Sequence, residues 1–549
     1  MEIKTIARLQ KQALKKSAAD FTRLGFALFF MIGVLTFTFL SNGGISNSMF
    51  LAVAALIGAY MAMNIGANDV ANNVGPAVGS KAMTLTMAII IAAVFEAAGA
   101  LIAGGEVVKT IKNGIIDISA FGGNPDAFIW AMMAALLAAA LWLNFATIMK
   151  APVSTTHSIV GAVMGAGIAA AGFGVVDWGT MGGIVASWII SPVLGGIIAA
   201  AFLFAIKKSI VFKEDKVQAA KTYVPVFVAI MSLAFVTYLI LKGVKQIWPK
   251  IIESINMLPL ISFEVTKKPA FTTALTIGVL VAIIVYFFVK KRVSSNTTTL
   301  QNTKTSVNTL FTIPLIFAAA LLSFAHGAND VANAIGPLAA INDAVVNRGV
   351  SSSASIPLWV MGVGALGISL GLALYGPKLI KTVGSEITDL DQIRAFSIAM
   401  SASVTVIIAS QLGLPVSSTH IAIGGIFGVG FLREWLHIKD ENNHTIEEDV
   451  LIIKDEQINR DAYKAELKEL QEKSEKTQSD YARIVDLYKL IENEKRIIKS
   501  TKKNIKKAKK VQFVRRDAIK KIVTAWLITV PVAAVLAGIL FFTIKGIML

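Results

Sequence analysis

Thirteen apolar stretches, each close to the length of a membrane crossing, recur along the chain. They fall at about 21–40, 49–66, 83–103, 127–149, 152–172, 180–206, 223–242, 270–289, 309–327, 354–376, 394–411, 413–432 and 521–543. A helical span needs about 20 mainly apolar residues, because the bilayer interior offers backbone groups no water. One soluble core cannot absorb this many. Hydrophobic residues make up 55% of the 549, and the mean hydropathy is +0.67. Charged residues reach only 16%, against about 25% in soluble domains. A soluble enzyme, a disordered chain and a nucleic-acid-binding module are excluded as whole-chain readings. The fold class is an all-α polytopic membrane protein.

The net charge of +17 is placed accordingly. Membrane proteins concentrate Lys and Arg in cytoplasmic loops. With the basic tail 1–20 inside, counting crossings puts 207–222, 290–308 and 433–520 inside as well. Each of these stretches is rich in lysine. The C-terminus then ends outside, and the expected location is the cell membrane. The first apolar run has the polarity of a signal peptide. It is long, however, and no small-residue cleavage site ends it, so it reads as an uncleaved helix. Cysteine is absent, which removes disulfides, thiolate metal sites and cysteine nucleophiles.

Two motifs occur twice, in the same order. Residues 66–76 read GANDVANNVGP and 327–337 read GANDVANAIGP, 261 residues apart. Residues 152–157 read PVSTTH and 415–420 read PVSSTH, 263 residues apart. By the crossing count, the first GAND segment enters from outside and the second from inside. The halves are therefore inverted repeats, a transporter architecture with the substrate at the repeat interface. A third match, 184–188 with 522–526, is offset by 338 residues. About 75 residues have thus been added to the second half, and they are the polar, helical stretch 433–520. This insert is acidic from Glu434 to Glu494, with 17 acids against 9 bases, and basic from Lys495 to Lys520, with 12 bases against 1 acid. It reads as a solvated helical hairpin whose basic end can rest on anionic headgroups. Regulation through an unknown cytoplasmic partner is kept open.

The motifs carry chemistry. An ionisable Asp at membrane depth marks a functional site. At helical spacing Asn68, Asp69 and Asn72 share a face, and Asn329, Asp330 and Asn333 repeat the arrangement. Gly66 and Gly75-Pro76 allow a broken helix there, with free backbone carbonyls. Carboxylate and amide oxygens are hard ligands, suited to a hard cation. Pro152 and Pro415 favour the first turn of a helix. Ser154, Thr155 and Thr156, and Ser417, Ser418 and Thr419, then crowd that N-terminus with hydroxyls. A helix N-terminus attracts anions. No Lys or Arg lies within 151–175 or 412–430. The charge of a bound oxyanion is therefore met by helix ends and by co-bound cations, which gives cation-coupled anion symport. Glu96, in an apolar run, is a further cation or proton site. His157 and His420 read as side chains hydrogen-bonded to nearby backbone or hydroxyls rather than as proton shuttles. Trp142, Trp178 and Trp188 read as interface anchors or packing. No GxxxxGK[ST] segment points to nucleotide-driven pumping.

These paired segments resemble the PiT family of inorganic phosphate transporters. The resemblance covers nearly all of 49–432 and 521–543. It implies a twelve-helix inverted-repeat transporter that carries phosphate with Na⁺, or with H⁺ in some bacterial members, and that has no cofactor. It implies helical hairpins at the PVST segments. It assigns phosphate to Asn72, Ser154, Thr155, Thr156, Asn333, Ser417, Ser418 and Thr419. It assigns the cation to Asn68, Asp69, Asn329, Asp330 and Glu96. The helix at 21–40 and the insert lie outside the common core. Where some relatives have a second Glu in an FxxE segment, this chain reads Phe396-Ser397-Ile398-Ala399.

The expected organisation follows. A basic tail and extra helix occupy 1–48, and the first repeat 49–206. Cytoplasmic loops and two connecting spans occupy 207–308. The second repeat occupies 309–432, is interrupted by the insert at 433–520, and is completed by a final span in 521–549. The expected function is sodium-coupled import of inorganic phosphate by alternating access, not enzymatic catalysis. The alternatives are a proton-coupled phosphate or metal–phosphate carrier, a sulfate permease, and a phosphate sensor signalling through the insert. The partners are phosphate, sodium and the lipid bilayer, without nucleic acid, and a homodimer is kept open.

Overall fold

A computed structural model describes residues 3–44, 47–121, 124–149, 151, 153–245, 247–257, 263–297, 300–347, 356–386, 390–440, 442–474, 477–508 and 516–548. Pro152 lies outside them. The described residues are helical almost throughout. In chain order the α-helices are α1 (Ile3–Ser41), α2 (Ser48–Asn68), α3 (Val70–Gly79), α4 (Leu85–Ala103), α5 (Gly105–Asn113), α6 (Pro125–Ile148), α7 (Thr155–Ala171), α8 (Trp178–Ile206), α9 (Lys216–Tyr238) and α10 (Trp248–Asn256). They continue as α11 (Phe271–Asn296), α12 (Lys304–Thr309), α13 (Thr312–Asn347), α14 (Leu358–Glu386), α15 (Gln392–Gln411), α16 (Ser418–Asp440), α17 (Asn442–Glu472), α18 (Gln478–Ala508) and α19 (Arg516–Met548).

Eleven helical segments among the described residues are long and apolar enough to cross a membrane. The count from sequence was thirteen single crossings. The two that fall short are those opened by the PVST motifs, and α7 ends beside the loop that leads into α6, where the Asp177 amide donates to the Ile115 carbonyl at 3.0 Å, so α6 and α7 together turn back to the side from which they start. Helix α7 has only 17 residues, and the apolar part of α16 stops at Arg433-Glu434. Helices α1 and α11 turn most of their apolar side chains outward. Phe29 is 78% exposed and Phe288 71%, as expected of faces that meet lipid.

The chain forms two compact units. One comprises Met1–Val429 with Arg516–Leu549. Its two halves are interleaved rather than stacked. Helix α2, from the first half, crosses α14 of the second where Gly66 abuts the backbone of Ile368 and Gly371 abuts Met63. Helix α13, from the second half, crosses α4 of the first where Gly327 abuts Glu96 and Gly99 abuts Phe324. A Cβ at any of the four would collide with backbone, so only glycine lets these axes approach so closely. The same exchange recurs at the other pair, where Gly161 and Gly165 of α7 meet Val530 and Ala534 of α19, and Gly424 and Gly428 of α16 meet Pro192 and Gly196 of α8.

The second unit, Gly430–Arg515, is built on the antiparallel pair α17 and α18. Leu467 and Leu487 are buried between these helices. Arg483 donates from Nε and Nη2 to the two oxygens of Glu466 at 2.8 and 3.0 Å. That fork is exposed, so it fixes register more than it adds stability.

Candidate functional site

The GAND and PVST residues converge at the interface between the halves. All twelve are buried, with side chains at most 2% exposed. Their bonds come in matched pairs. Asn68 donates to Thr147 Oγ1 at 2.9 Å and to the Ala151 carbonyl at 3.3 Å. Asn329 donates to Ser410 Oγ at 2.9 Å and to the Leu414 carbonyl at 3.2 Å. Thr155 donates to Asp69 at 2.7 Å, and its counterpart Ser418 donates to Asp330 at 3.1 Å. Ser154 and Ser417 cap α7 and α16 by accepting the amides of His157 and His420 at 3.1 and 3.2 Å. This is the N-cap geometry expected of Ser before a helix.

Other bonds cross from one half to the other. Asn72 donates to Thr419 Oγ1 at 2.8 Å, and Thr419 donates to Asp69 Oδ1 at 3.0 Å. Asn333 donates to Thr155 and Thr156 at 3.0 and 3.1 Å. Thr156 in turn donates to the Val416 carbonyl at 2.9 Å, so the two PVST loops touch. The two GAND acids also meet. Asp69, His326 and Asp330 each place one ligand atom within 4.8 Å of the others.

The acceptor side of this cluster is only partly used. Oδ1 of Asn68, Asn72, Asn329, Asn333 and Asp330 is buried without a hydrogen-bond partner among the described residues. Leaving a buried acceptor unpaired costs about 1–3 kcal/mol. Five such oxygens in one region, beside two carboxylates, form a hard donor set that fits a small cation such as Na⁺.

The chain belongs to the phosphate transporter family. The model of that family matches residues 65–537. A candidate phosphate permease of Helicobacter pylori strain J99 is 48% identical over 553 residues, covering 98% of each chain. Another from Haemophilus influenzae is 38% identical, covering 70% of this chain and 89% of its own. A solved structure described as the sodium-dependent phosphate transporter is 29% identical, with a TM-score of 0.69 over 91% of this chain and 99% of its own. Phosphate transport across a membrane is thus the family's business, and the buried polar cluster lies within the matched residues.

Some expectations need correction. Gly66 and Gly75-Pro76 were expected to allow a broken helix at the GAND motif. Gly66 and Pro76 lie inside helices, and Asp69, between α2 and α3, keeps helical dihedrals (φ −82°, ψ −36°) and donates its amide to the Ile65 carbonyl at 2.9 Å, so the first motif runs on through a local irregularity rather than a break. Helix α13 runs unbroken through the second motif, with Pro337 inside it. The two histidines were expected to be hydrogen-bonded. Instead, all four of their ring nitrogens are buried without partners among the described residues. The rings pack on one another and on tryptophans: His157 lies 3.8 Å from Trp188 at a tilt and 4.4 Å from His420 edge-on, and His420 stacks on Trp526 at 3.5 Å.

Glu96 is buried as expected, but both its oxygens are engaged. Asn73 donates to Oε1 at 2.8 Å, and Oε2 lies 2.7 Å from His326 Nδ1. His326 Nε2 lies 2.9 Å from Asp330 Oδ2. Sequence reasoning passed over His326. Its signal was the residue before the motif, where the first half has Ile65 and the second has His326. The position matching Glu96 in the other crossing is Ile368. The α4–α13 crossing thus holds a Glu–His–Asp chain where the α2–α14 crossing holds two isoleucines, so the two crossings differ in charge. Thr147 and Ser410, which anchor Asn68 and Asn329, were also missed.

Proposed function

We infer that this protein imports inorganic phosphate together with Na⁺ by alternating access. The observation that carries this reading is the set of unpaired acceptor oxygens on Asn68, Asn72, Asn329, Asn333 and Asp330, buried beside Asp69 at the repeat interface. Cations there neutralise the carboxylates and lend positive charge to a site without a lysine or arginine of its own. Phosphate then docks on the hydroxyls and helix N-termini of Ser154–Thr156 and Ser417–Thr419, with the Asn72 and Asn333 amides as further donors. Coupling is reciprocal, so Na⁺ raises phosphate affinity and phosphate raises Na⁺ affinity. The sodium-dependent structural relative supports Na⁺ as the coupling ion. In this reading the N-terminus and the insert are cytoplasmic. The crossing count then puts α5 and the C-terminus outside.

The test is uptake of labelled phosphate by proteoliposomes holding the purified protein. An inward Na⁺ gradient is compared with choline at matched pH, and Asp69→Asn is run beside the wild type. Uptake that requires Na⁺ and disappears in the variant is expected. Uptake indifferent to Na⁺ but driven by a pH gradient would replace the coupling ion. Absence of uptake under either gradient would overturn phosphate as the substrate.

A further inference from the structure

Glu106, on the short helix α5, is approached by three ammonium groups. Lys245 Nζ lies 2.7 Å from its carboxylate, Lys242 Nζ 3.9 Å and Lys109 Nζ 4.0 Å. Lysine hydrogen bonding and charge hold the Glu106 carboxyl below its usual range. Glu106 is the one carboxylate paired with any of the three among the described residues. One negative charge therefore faces three positive ones. Lys242 sits in a π-helical turn, Leu239–Gly243, with its side chain only 13% exposed. An ammonium so covered, 3.9 Å from a shared carboxylate, is poorly compensated. Lys109 and Lys245 remain open, at 66% and 39% exposure.

Helix α5 also ties this cluster to the transport site. Thr110 donates to the Gly413 carbonyl at 2.7 Å, two residues before the second PVST motif. Lys112 pairs with Asp343 on α13 at 3.0 Å, with side chains 5% and 3% exposed. One short helix thus bears the carboxylate on which the three lysines converge and rests beside both second-half motif segments.

We propose that Lys109, Lys242 and Lys245 form a peripheral docking station for inorganic phosphate, which binds there before it enters the buried site. The inference rests on the reading of the protein as a phosphate importer with α5 outside. A tetrahedral oxyanion presents several acceptor oxygens to ammonium groups that one carboxylate cannot saturate. Excess positive charge at the mouth raises the local anion concentration and the encounter rate. Glu106 competes with the incoming anion and offsets the mutual repulsion of the lysines while none is bound.

The charge arrangement predicts opposite signs for two variants, which a merely structural role does not. Initial rates of phosphate uptake are measured in cells lacking other phosphate transporters, at fixed sodium, with transporter abundance checked by blotting. Lys109→Gln/Lys245→Gln should raise KM by about three- to tenfold with the maximal rate unchanged, and should flatten the dependence of KM on ionic strength. Glu106→Gln should lower KM. Both variants moving KM the same way, or a fall in maximal rate with KM unchanged, would overturn the station. A wild type that takes up no phosphate removes the importer reading and the station together. Wild-type uptake with KM unmoved by either variant removes the station alone.

Discussion

Asp69 and Thr419 are joined by a hydrogen bond of 3.0 Å across 350 residues of chain. Asp69 comes from the first GAND motif and Thr419 from the second PVST motif, so the bond spans the repeat interface. The same hydroxyl accepts from Asn72 at 2.8 Å. Thr419→Val keeps the shape and removes both bonds. It leaves one Asp69 oxygen unpaired in a buried site, and the Asn72 amide with only its bond to the Asp69 carbonyl at 3.1 Å, at a cost of about 1–3 kcal/mol. We expect a loss of phosphate uptake of about tenfold or more, read in proteoliposomes at saturating sodium. Thr419→Ser, which restores the hydroxyl, should recover most of it.

Lys112 and Asp343 form a buried pair at 3.0 Å. Breaking such a pair from one side leaves a charge in the interior, which costs about 3–5 kcal/mol. Removing both charges avoids that penalty. Lys112→Met alone should lower the thermal transition of the detergent-purified protein. Lys112→Met/Asp343→Leu should return it most of the way. A double variant as unstable as the single one would show that the pair is not what holds α5 to α13.

The histidines give a test of a different kind. Their rings pack on Trp188 and Trp526, and none of the ring nitrogens has a described partner. A flat apolar ring should therefore serve as well. His157→Phe is expected to retain uptake within about twofold and to show the same pH profile as the wild type, since such ring packing contributes about 0.5–1.5 kcal/mol. His157→Ala loses the ring packing and should lose stability. A pH profile altered in the Phe variant would mean that the imidazole handles a proton during transport.

What the sequence disclosed follows from where its information is stored. Apolar spans and doubled motifs are contiguous in the chain, so the helical membrane class, the pairing of halves and the buried polar residues could be read directly. The interleaving of α2 with α14 and α13 with α4 is written only in Gly66, Gly371, Gly99 and Gly327, which look alike in sequence whichever helix they meet. That helix continues through both motifs could not be inferred, because glycine and proline permit a break without requiring one. His326 was passed over because its partner Glu96 is 230 residues away. The difference between Ile65 and His326 gains meaning only once the helices are seen to cross.

The insert offers a last prediction, with a sign fixed by a carboxyl pair. Glu494 on α18 is 7% exposed, and its Oε2 has no partner among the described residues. Its pKa is raised, first by a hydrogen bond with the Glu456 carboxyl on α17 and then by burial. That bond requires one of the two to carry a proton. A carboxyl whose folded pKa lies above its unfolded value stabilises the fold below the unfolded pKa, and this contribution is lost as pH rises through the folded pKa. The hairpin should therefore be tighter at pH 4 than at pH 8 as far as this pair is concerned. Glu494→Gln holds a donor at the position at every pH. Hydrogen exchange of the α17 and α18 amides in the full chain should slow at pH 8 in the variant, after correction for the intrinsic rate, by an amount equivalent to about 1 kcal/mol. At pH 4 variant and wild type should exchange alike. Equal protection at both pH values would mean that the two carboxyls do not share a proton.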